Sequence, residues 1–410
     1  MSSMDIGEKD SIKEIIVLIE RQLSQRKSMS VKITPIEELV GVNKTYRCSM
    51  ETTSGANVST ESIIIKHKPL KSLSSQHERQ QLHSIFMDLA DYTKRFSNEI
   101  AALTYLNGIQ FTTTIYPTLI HHDTKNLLIV TKDMGNTPTM MDTLNQPTLK
   151  DPEKYLRNYV KLLAELHKHT IHNWHQFKKI QKQFNTSSPL SDSTIDFRNY
   201  SSDFAAFLDY LSSRYELDKE AIIKEFNHIE EIIFNPDNEL HGFIHADSGI
   251  QNVNVNLESK EMILFDYEFA DTGYILLDLA GLFLGFPQSG KGKRVPSRFY
   301  DMLIKQYFDS FSIVQDNPRE KLVFALLHWT IGRIICSWMF YLKDNLDSIN
   351  DVDFEVLNRM FTSNYECLNF LENERGFTYL RRFIEVVQLF ISNTWKPVEL
   401  LDYFSSFLFT

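Results

Sequence analysis

The most constraining feature of this chain is a pair of apolar, strand-like runs in its carboxy-terminal half, each leading into chemically active side chains. The run Gly242–His245 is followed by Asp247 and Asn252, and a second run leads into Asp266. Functional side chains commonly lie in loops that a rigid scaffold positions. Carboxylate and amide oxygens are also the ligands that Mg²⁺ prefers. A fold that brings these two strand ends together is therefore predicted to form a magnesium site.

The spacing from His245 to Asn252, His-x-Asp-x-x-x-x-Asn, is typical of a loop that catalyses phosphoryl transfer. In that chemistry an aspartate accepts or orients the proton of the attacking hydroxyl, and an asparagine oxygen helps to hold magnesium. Asp247 and Asn252 are predicted to take these two roles. Asp266, fourteen positions beyond Asn252, is predicted to be the principal magnesium ligand. His245 is expected to be a structural member of the loop.

Two further carboxylates near these segments allow more than one interpretation. Glu268 lies two residues beyond Asp266, and on a continuing strand it would point the same way and add a metal ligand. It is equally a candidate surface carboxylate or a partner of an arginine such as Arg294 or Arg333. Asp278 precedes a hydrophobic run and is predicted to cap that helix or to hydrogen-bond the catalytic loop.

Residues 245–252, 265–268 and 274–278 closely resemble the catalytic segment of choline kinases and aminoglycoside phosphotransferases, families of the protein-kinase-like superfamily. The resemblance implies an α+β, bilobal protein-kinase-like fold with a β-rich amino-terminal lobe and a mainly helical carboxy-terminal lobe. It also implies ATP and Mg²⁺ as cofactors and transfer of the γ-phosphate to a hydroxyl of a small molecule. The Asp-Tyr-Glu triplet at 266–268 favours choline or ethanolamine as the acceptor. Aminoglycoside-like compounds are the other acceptors that the resemblance implies.

The resemblance also implies nucleotide-binding residues in the amino-terminal half. Lys66 ends an apolar run and is predicted to bind the α- and β-phosphates, with Glu99 of a following helix orienting it. Gly41 and Asn43 lie in a segment that resembles the loop covering the nucleotide. That segment has one glycine where the family has more, so a plain hairpin turn stays an open interpretation.

The pattern of apolar residues divides the chain into three parts. Residues 1–30 are predicted to form a helical extension, residues 31–134 a β-rich lobe, and residues 135–410 a mainly helical lobe. The resemblance implies that the β-rich lobe binds the nucleotide and that the helical lobe carries catalysis and binds the acceptor. The predicted strands of the second part are Val31–Val40, Lys44–Thr52, Ser62–His67 and Leu127–Thr131, with a helix at Asp88–Leu106. The predicted helices of the third part are Tyr155–His169, Asp203–Arg214, Lys219–Phe234, Arg298–Phe311 and Glu320–Leu342. Among them, Gly242–His245 is predicted to pair with Val253–Leu257, followed by a strand at Met262–Asp266.

Composition excludes several classes of partner. A formal net charge of −10 argues against a nucleic-acid partner and suits a cationic small-molecule acceptor. The sequence has no apolar run of the roughly 18 residues that a membrane span requires. Three widely spaced cysteines suit a reducing compartment, so a cytoplasmic location is expected.

Three alternatives to a small-molecule kinase of amino alcohols or aminoglycosides stay open at this stage. They are a pseudokinase scaffold, a kinase-fold enzyme that modifies a protein acceptor, and a kinase of a sugar or steroid alcohol, because a fold does not fix its chemistry. The presence of both Asp247 and Asp266 argues against an inactive scaffold.

Overall fold

A computed structural model provides the coordinates of the chain. The structure describes residues 5–27, 29–39, 44–67, 92–135, 137–146, 149, 151–189, 191, 193–212, 215–285, 297–311, 318–337, 380 and 383–386. Within these residues the chain has the predicted α+β architecture, with an antiparallel sheet in the amino-terminal lobe and a mainly helical carboxy-terminal lobe.

The amino-terminal lobe is built on a five-stranded antiparallel sheet with the strand order β1-β2-β3-β5-β4. The strands are β1 (Ser30–Leu39), β2 (Lys44–Ser54), β3 (Asn57–His67), β4 (Leu119–Asp123) and β5 (Leu128–Lys132). The described residues of the same half of the chain include two helices, α1 (Asp5–Lys27) and α2 (Tyr92–Asn107). Side chains of β2 and β3 alternate between the two faces of the sheet, as the period of an extended strand requires.

Helix α1 covers one face of this sheet. Ile16, Ile19 and Leu23 recur at helical spacing and are buried against sheet residues that include Ile63 and Ile65. Two polar side chains of the helix also bind the outer strand: Glu20 Oε1 accepts from the backbone N–H of Ile33 at 2.6 Å, and Ser24 Oγ accepts from that of Val31 at 3.2 Å. These bonds satisfy donors that an edge strand otherwise exposes.

The end of the sheet is fixed to the connector that leads into the second lobe. Arg47 of β2 donates from Nε to Asp133 Oδ2 at 2.8 Å and from Nη2 to the carbonyl oxygen of Gly135 at 3.2 Å. Ser62 Oγ donates to the same carboxylate oxygen of Asp133 at 2.6 Å. Because Asp133 follows β5 directly, these contacts hold the first residues of the connector against the sheet.

The carboxy-terminal lobe packs its helices around one large apolar core. Its helices are α3 (Met140–Leu144), α4 (Pro152–Thr170), α5 (Trp174–Gln183), α6 (Ser201–Ser212), α7 (Lys219–Ile233), α8 (Leu276–Gly285), α9 (Ser297–Ser310) and α10 (Pro318–Ser337). Helix α4 begins at an Asp151 side chain that accepts from the N–H of Lys154, with Pro152 in the first turn. Its apolar stripe is buried, and Tyr159 and Leu163 are fully enclosed.

Two small antiparallel sheets lie among these helices, and their pairing differs from the prediction. Strand β6 (His241–Ile244) pairs with β9 (Asp271–Tyr274), and β7 (Val253–Val255) pairs with β8 (Met262–Leu264). The predicted pairing of the first run with the second is therefore wrong. The turn between β7 and β8 makes them a local hairpin, closed by a hydrogen bond from Asn256 N to the carbonyl oxygen of Glu261. Because β7 and β8 pair with each other, β6 pairs with β9, the strand that follows them in the chain.

Other predicted strands and helices are present, but their first and last residues differ from the prediction. Strand β3 begins five residues before the predicted start at Ser62, and the helix predicted from Asp88 is described from Tyr92. Strand β4 and helices α3 and α5 were not predicted, because each is short or rich in polar residues. In the described part of the chain, no helix is long and apolar enough to cross a membrane.

Helix α1 should contribute measurably to the stability of the amino-terminal lobe. Replacing the fully buried Ile19 by alanine is expected to lower the free energy of unfolding by about 2–5 kcal/mol, because it leaves a cavity between helix and sheet. Urea unfolding measures the change. Val17→Ala is the matched control, since Val17 is 62% exposed on the same helix, and its expected change is within about 0.5 kcal/mol. Equal effects of the two changes would mean that the helix does not pack as described.

Candidate active site

Lys66 lies at the centre of the candidate site. Its neighbours Ile63 and Ile65 on β3 are buried against α1, and strand alternation directs Lys66 to the opposite face of the sheet. Its Nζ donates to Glu99 Oε2 at 2.6 Å and to Asp266 Oδ1 at 2.7 Å. One cation thus joins strand β3, helix α2 and the segment after β8.

Burial and the neighbouring charges together shift the pKa values of Lys66, Glu99 and Asp266. Burial lowers the pKa of Lys66, but the carboxylates of Asp266 and Glu99 outweigh that effect and raise it above its ordinary value. Burial raises the pKa of Glu99 to about 7, although Lys66 opposes the shift. Burial also raises the pKa of Asp266, and Lys66 more than reverses this, so that pKa is lowered. The lysine and Asp266 therefore carry opposite charges at neutral pH.

Asp266 reaches the cluster through an unusual backbone conformation. Strand β8 ends at Leu264, two residues earlier than predicted, and Asp266 adopts the left-handed conformation with φ of 66°. A residue other than glycine pays about 1–3 kcal/mol for such a conformation. Tyr267–Phe269 then form a 3₁₀ turn. The side chain of Asp266 remains 34% exposed, so it is not sealed off from solvent by the ion pair.

The catalytic-loop candidates lie beside this segment. Asn252 Nδ2 donates to Asp247 at both the backbone oxygen and Oδ2, each at 2.8 Å. The backbone of Phe265, next to Asp266, donates to the carbonyl oxygen of Asn252 at 2.9 Å. The structure thus brings together Asp247, Asn252 and Asp266. Their roles in chemistry stay predictions.

The buried carboxylate of Asp278 anchors the backbone of that loop. Its Oδ2 accepts from the N–H of His245 at 2.7 Å, and its Oδ1 accepts from the N–H of Ala246 at 2.9 Å. His167 Nε2 lies 3.0 Å from Oδ2. Burial raises the pKa of Asp278, but His167 and the loop N–H groups lower it below its ordinary value. Of the two roles predicted for Asp278, the structure contains the hydrogen bonds to the loop that carries Asp247.

His245 is structural in the way its position predicts. Its Nε2 lies 2.9 Å from the carbonyl oxygen of Phe265, so that nitrogen carries a proton and donates it. Its Nδ1 accepts from the N–H of Asp247 at 3.2 Å. Burial lowers the pKa of His245, which favours the neutral ring that both bonds require. The ring thereby connects the two loops that carry Asp247 and Asp266.

The strand-based interpretation of Glu268 is wrong. Because the strand ends at Leu264 and a 3₁₀ turn follows, Glu268 does not continue the alternation that would direct it beside Asp266. Its Oε1 instead lies 3.3 Å from Nη1 of Arg95 on α2. This contact agrees with the alternative of an arginine partner. Arg294 and the side chain of Arg333 lie outside the described residues. A role of Glu268 on magnesium stays an untested prediction. Gly41 and Asn43 lie outside the described residues.

The donor set of the site fits a magnesium ion that is shared with nucleotide phosphates. Asp266 offers an accessible carboxylate, and Asn252 turns its amide nitrogen to Asp247, so that its amide oxygen remains for another partner. Magnesium prefers such oxygen ligands and commonly takes one or two from the protein. Among the described residues, no three His, Cys, Asp or Glu side chains gather as a complete metal cage. The phosphates would have to complete the shell.

Asn98 is a site-supporting residue that the sequence did not reveal. It is fully buried on α2, next to Glu99, and bonds to the turn that follows Asp266. The available signal was an asparagine inside a predicted helix, since asparagine disfavours helix interiors. That signal does not identify a partner 170 or more residues away along the chain.

Comparisons with known proteins find solved structures that are similar to this chain at low identity. No family model and no curated protein matches the chain. A choline kinase from Streptococcus pneumoniae is similar at 10% identity and a TM-score of 0.41, over 87% of this chain and 99% of that chain. A putative aminoglycoside phosphotransferase from Ralstonia eutropha is similar at 10% identity and a TM-score of 0.46, over 89% and 97% of the two chains. An ethanolamine kinase from Plasmodium vivax is similar at 10% identity and a TM-score of 0.42, over 82% of each.

The anchoring role of Asp278 predicts a specific pH dependence. At neutral pH, Asp278→Asn is expected to lower the free energy of unfolding by about 3 kcal/mol, because the loop N–H groups lose a charged acceptor. The folded-state pKa of Asp278 is depressed, so its contribution is present above the ordinary aspartate pKa of about 3.9 and is lost as pH falls through the folded value. Wild type and variant should therefore converge on acidification.

Urea unfolding from pH 7 down to the acid limit of the folded state measures this convergence. Asp309→Asn is the matched control, since Asp309 is 62% exposed in a surface pair with Lys305 and should change stability by less than about 0.5 kcal/mol. A difference between wild type and Asp278→Asn that stays constant with pH would contradict the depressed pKa.

Proposed function

We propose that the cleft of this protein transfers the γ-phosphate of ATP to a hydroxyl group of a small molecule. The observation that carries the proposal is the simultaneous contact of Lys66 with Glu99 and Asp266, at 2.6 and 2.7 Å. In the proposal, Lys66 is the cation that binds the phosphates, Glu99 orients it, and Asp266 beside it is the metal ligand, which are parts that phosphoryl transfer uses. In this proposal residues 31–134 bind the nucleotide and residues 135–410 carry the catalytic loop and the acceptor.

Lys66 and the metal ligands would hold the phosphates in place. The ammonium group of Lys66 would bind phosphate oxygens while Glu99 keeps its side chain extended into the cleft. Asp266 and the amide oxygen of Asn252 would hold Mg²⁺, which neutralises negative charge on the phosphate oxygens. Because the protein fixes these groups before the nucleotide arrives, it supplies positioning and electrostatic stabilisation at little further cost.

Asp247 would orient the acceptor. Its carboxylate is held by Asn252 Nδ2, next to the backbone that Asp278 anchors, and an acceptor hydroxyl could donate to it. As the acceptor oxygen bonds to the γ-phosphorus, the bond from that phosphorus to the bridging β–γ oxygen breaks and ADP leaves. The hydroxyl proton goes to Asp247. The products are a phosphate monoester and ADP.

The acceptor class follows from charge and from the sequence motif. A net charge of −10 suits a cationic acceptor, and the Asp-Tyr-Glu triplet at 266–268 resembles that of choline and ethanolamine kinases. An amino alcohol or an aminoglycoside-like compound is thus the first choice. A sugar or a steroid alcohol is the second, and a protein acceptor or a scaffold that binds nucleotide without turnover is the third.

Measurement of ADP release with Mg-ATP tests the proposal directly. The acceptor panel contains choline, ethanolamine, aminoglycosides, sugars, homoserine and sterols, with a mixed protein fraction as a separate arm. One small-molecule acceptor is expected to stimulate ADP release, and Asp247→Ala is expected to reduce kcat by about 10²–10⁴-fold with that acceptor. Asp266→Ala should abolish turnover, because it removes the principal metal ligand.

Asp209→Asn is the control for the loss of a carboxylate. Asp209 is 65% exposed and pairs with Lys219 on the surface, so this change should leave kcat unaltered. Turnover that survives both Asp247→Ala and Asp266→Ala would refute the assigned chemistry. If the protein binds labelled ATP and the label appears on a protein and not on a small molecule, the result would support a protein acceptor.

A further inference from the structure

A fully buried amide on helix α2 connects the two halves of the candidate site. Asn98 donates from Nδ2 to the carbonyl oxygen of Glu268 at 3.1 Å and to that of Ala270 at 2.8 Å. Its Oδ1 accepts from Gln181 Nε2 on α5 at 2.7 Å. Both amide hydrogens and one lone pair of the oxygen are therefore used. These bonds contribute to stability, because a buried amide that loses a partner is destabilising.

The two carbonyl groups belong to the turn that starts at Asp266. Asp266 itself is in the left-handed conformation, which persists only where surrounding structure holds it. Asn98 bonds to the second and fourth residues after it, so it fixes the path of the backbone immediately beyond the carboxylate.

A second residue of α2, Arg95, contacts side chains of the same turn. Arg95 lies one helical turn before Asn98, 3.3 Å from Glu268 Oε1, with its guanidinium carbon 4.4 Å from the ring centroid of Phe269. This contact combines charge attraction with a cation–π interaction. The helix therefore contacts three successive residues of the turn, at Glu268, Phe269 and Ala270.

Helix α2 also carries Glu99, directly next to Asn98, and Glu99 binds Lys66. Adjacent residues of one helix thus bind the phosphate-binding lysine and the backbone beside the metal-ligand candidate. A displacement of this helix would move both groups together.

We infer that Asn98 is a positioning residue for the metal site: its amide holds the turn after Asp266 and thereby sets the affinity of the cleft for divalent cation with nucleotide. This inference deepens the proposed function and rests on it for the metal. Partners that orient a metal ligand from behind typically change metal affinity by about 10–100-fold when they are removed.

Two substitutions of different severity test the inference. Asn98→Asp replaces the donating amide by a carboxylate that faces two carbonyl oxygens, and Asn98→Ser removes the reach of the side chain while keeping a small polar group. Ile100→Val is the matched control, because Ile100 is fully buried two residues away on the same helix and has no polar contact with the turn. Thermal unfolding of each variant establishes that it is folded under the conditions of measurement.

The first readout is metal binding, followed by the electron paramagnetic resonance signal of free Mn²⁺ during titration in the presence of a non-hydrolysable ATP analogue. Both Asn98 variants are expected to weaken Mn²⁺ binding by about 10-fold or more. Ile100→Val should bind Mn²⁺ as the wild type does. Equal affinities of Asn98→Ser and Ile100→Val would overturn the inference.

The second readout is hydrogen exchange of the backbone amides of residues 266–271 without nucleotide or metal. These amides should exchange about 10-fold faster in Asn98→Ser than in wild type or Ile100→Val, since the turn loses two of its bonds. Unchanged exchange would overturn the inference even if metal binding were altered. A wild type that binds no Mn²⁺ with the nucleotide would refute the proposed function, and the exchange result would still decide whether Asn98 holds the turn.

Discussion

The structure of the site depends on the ion-pair cluster formed by Lys66, Glu99 and Asp266. Each partner comes from a different element, so the cluster joins a sheet, a helix and a loop that are otherwise separate in the chain. Lys66 and Glu99 are largely buried, and leaving either without a partner would be unfavourable, since breaking a buried ion pair typically destabilises a protein by about 3–5 kcal/mol. The cluster therefore fixes the position of helix α2 relative to the sheet and the metal-ligand candidate.

A second network, centred on the buried Asp278, holds the candidate catalytic loop to the helical lobe. Its two carboxylate oxygens bind consecutive loop N–H groups, and His167 of α4 supports it from behind. The His245 ring then joins this loop to the segment before Asp266. A continuous chain of hydrogen bonds, from His167 through Asp278 and His245, therefore connects helix α4 to the segments that carry Asp247 and Asp266. Such second-layer support is what keeps catalytic side chains in a fixed geometry.

The sequence predicts the side chains of the site better than it predicts how they are held. Asp247, Asn252 and Asp266 are candidates from motif spacing, and Lys66 and Glu99 are candidates from the resemblance. The structure brings Lys66, Glu99 and Asp266 into contact, and their roles in chemistry stay predictions. Strand pairing beyond Ile244 was predicted wrongly, since the partner of a short strand depends on contacts distant in the chain. The environment of Glu268 was missed because the left-handed conformation of Asp266 ends the strand alternation. The bonds of Asn98 were likewise not visible, because they join residues of α2 to a turn far along the sequence.

Calorimetric titration with a non-hydrolysable ATP analogue, with and without Mg²⁺, tests the central claim most directly. The claim is that Lys66 and Asp266 together form a site for nucleotide and magnesium. The account predicts binding that strengthens with Mg²⁺ in the wild type, a much weaker response to Mg²⁺ in Asp266→Asn, and weaker nucleotide binding in Lys66→Met. Nucleotide binding that is the same with and without Mg²⁺, or that both variants retain unchanged, would contradict it.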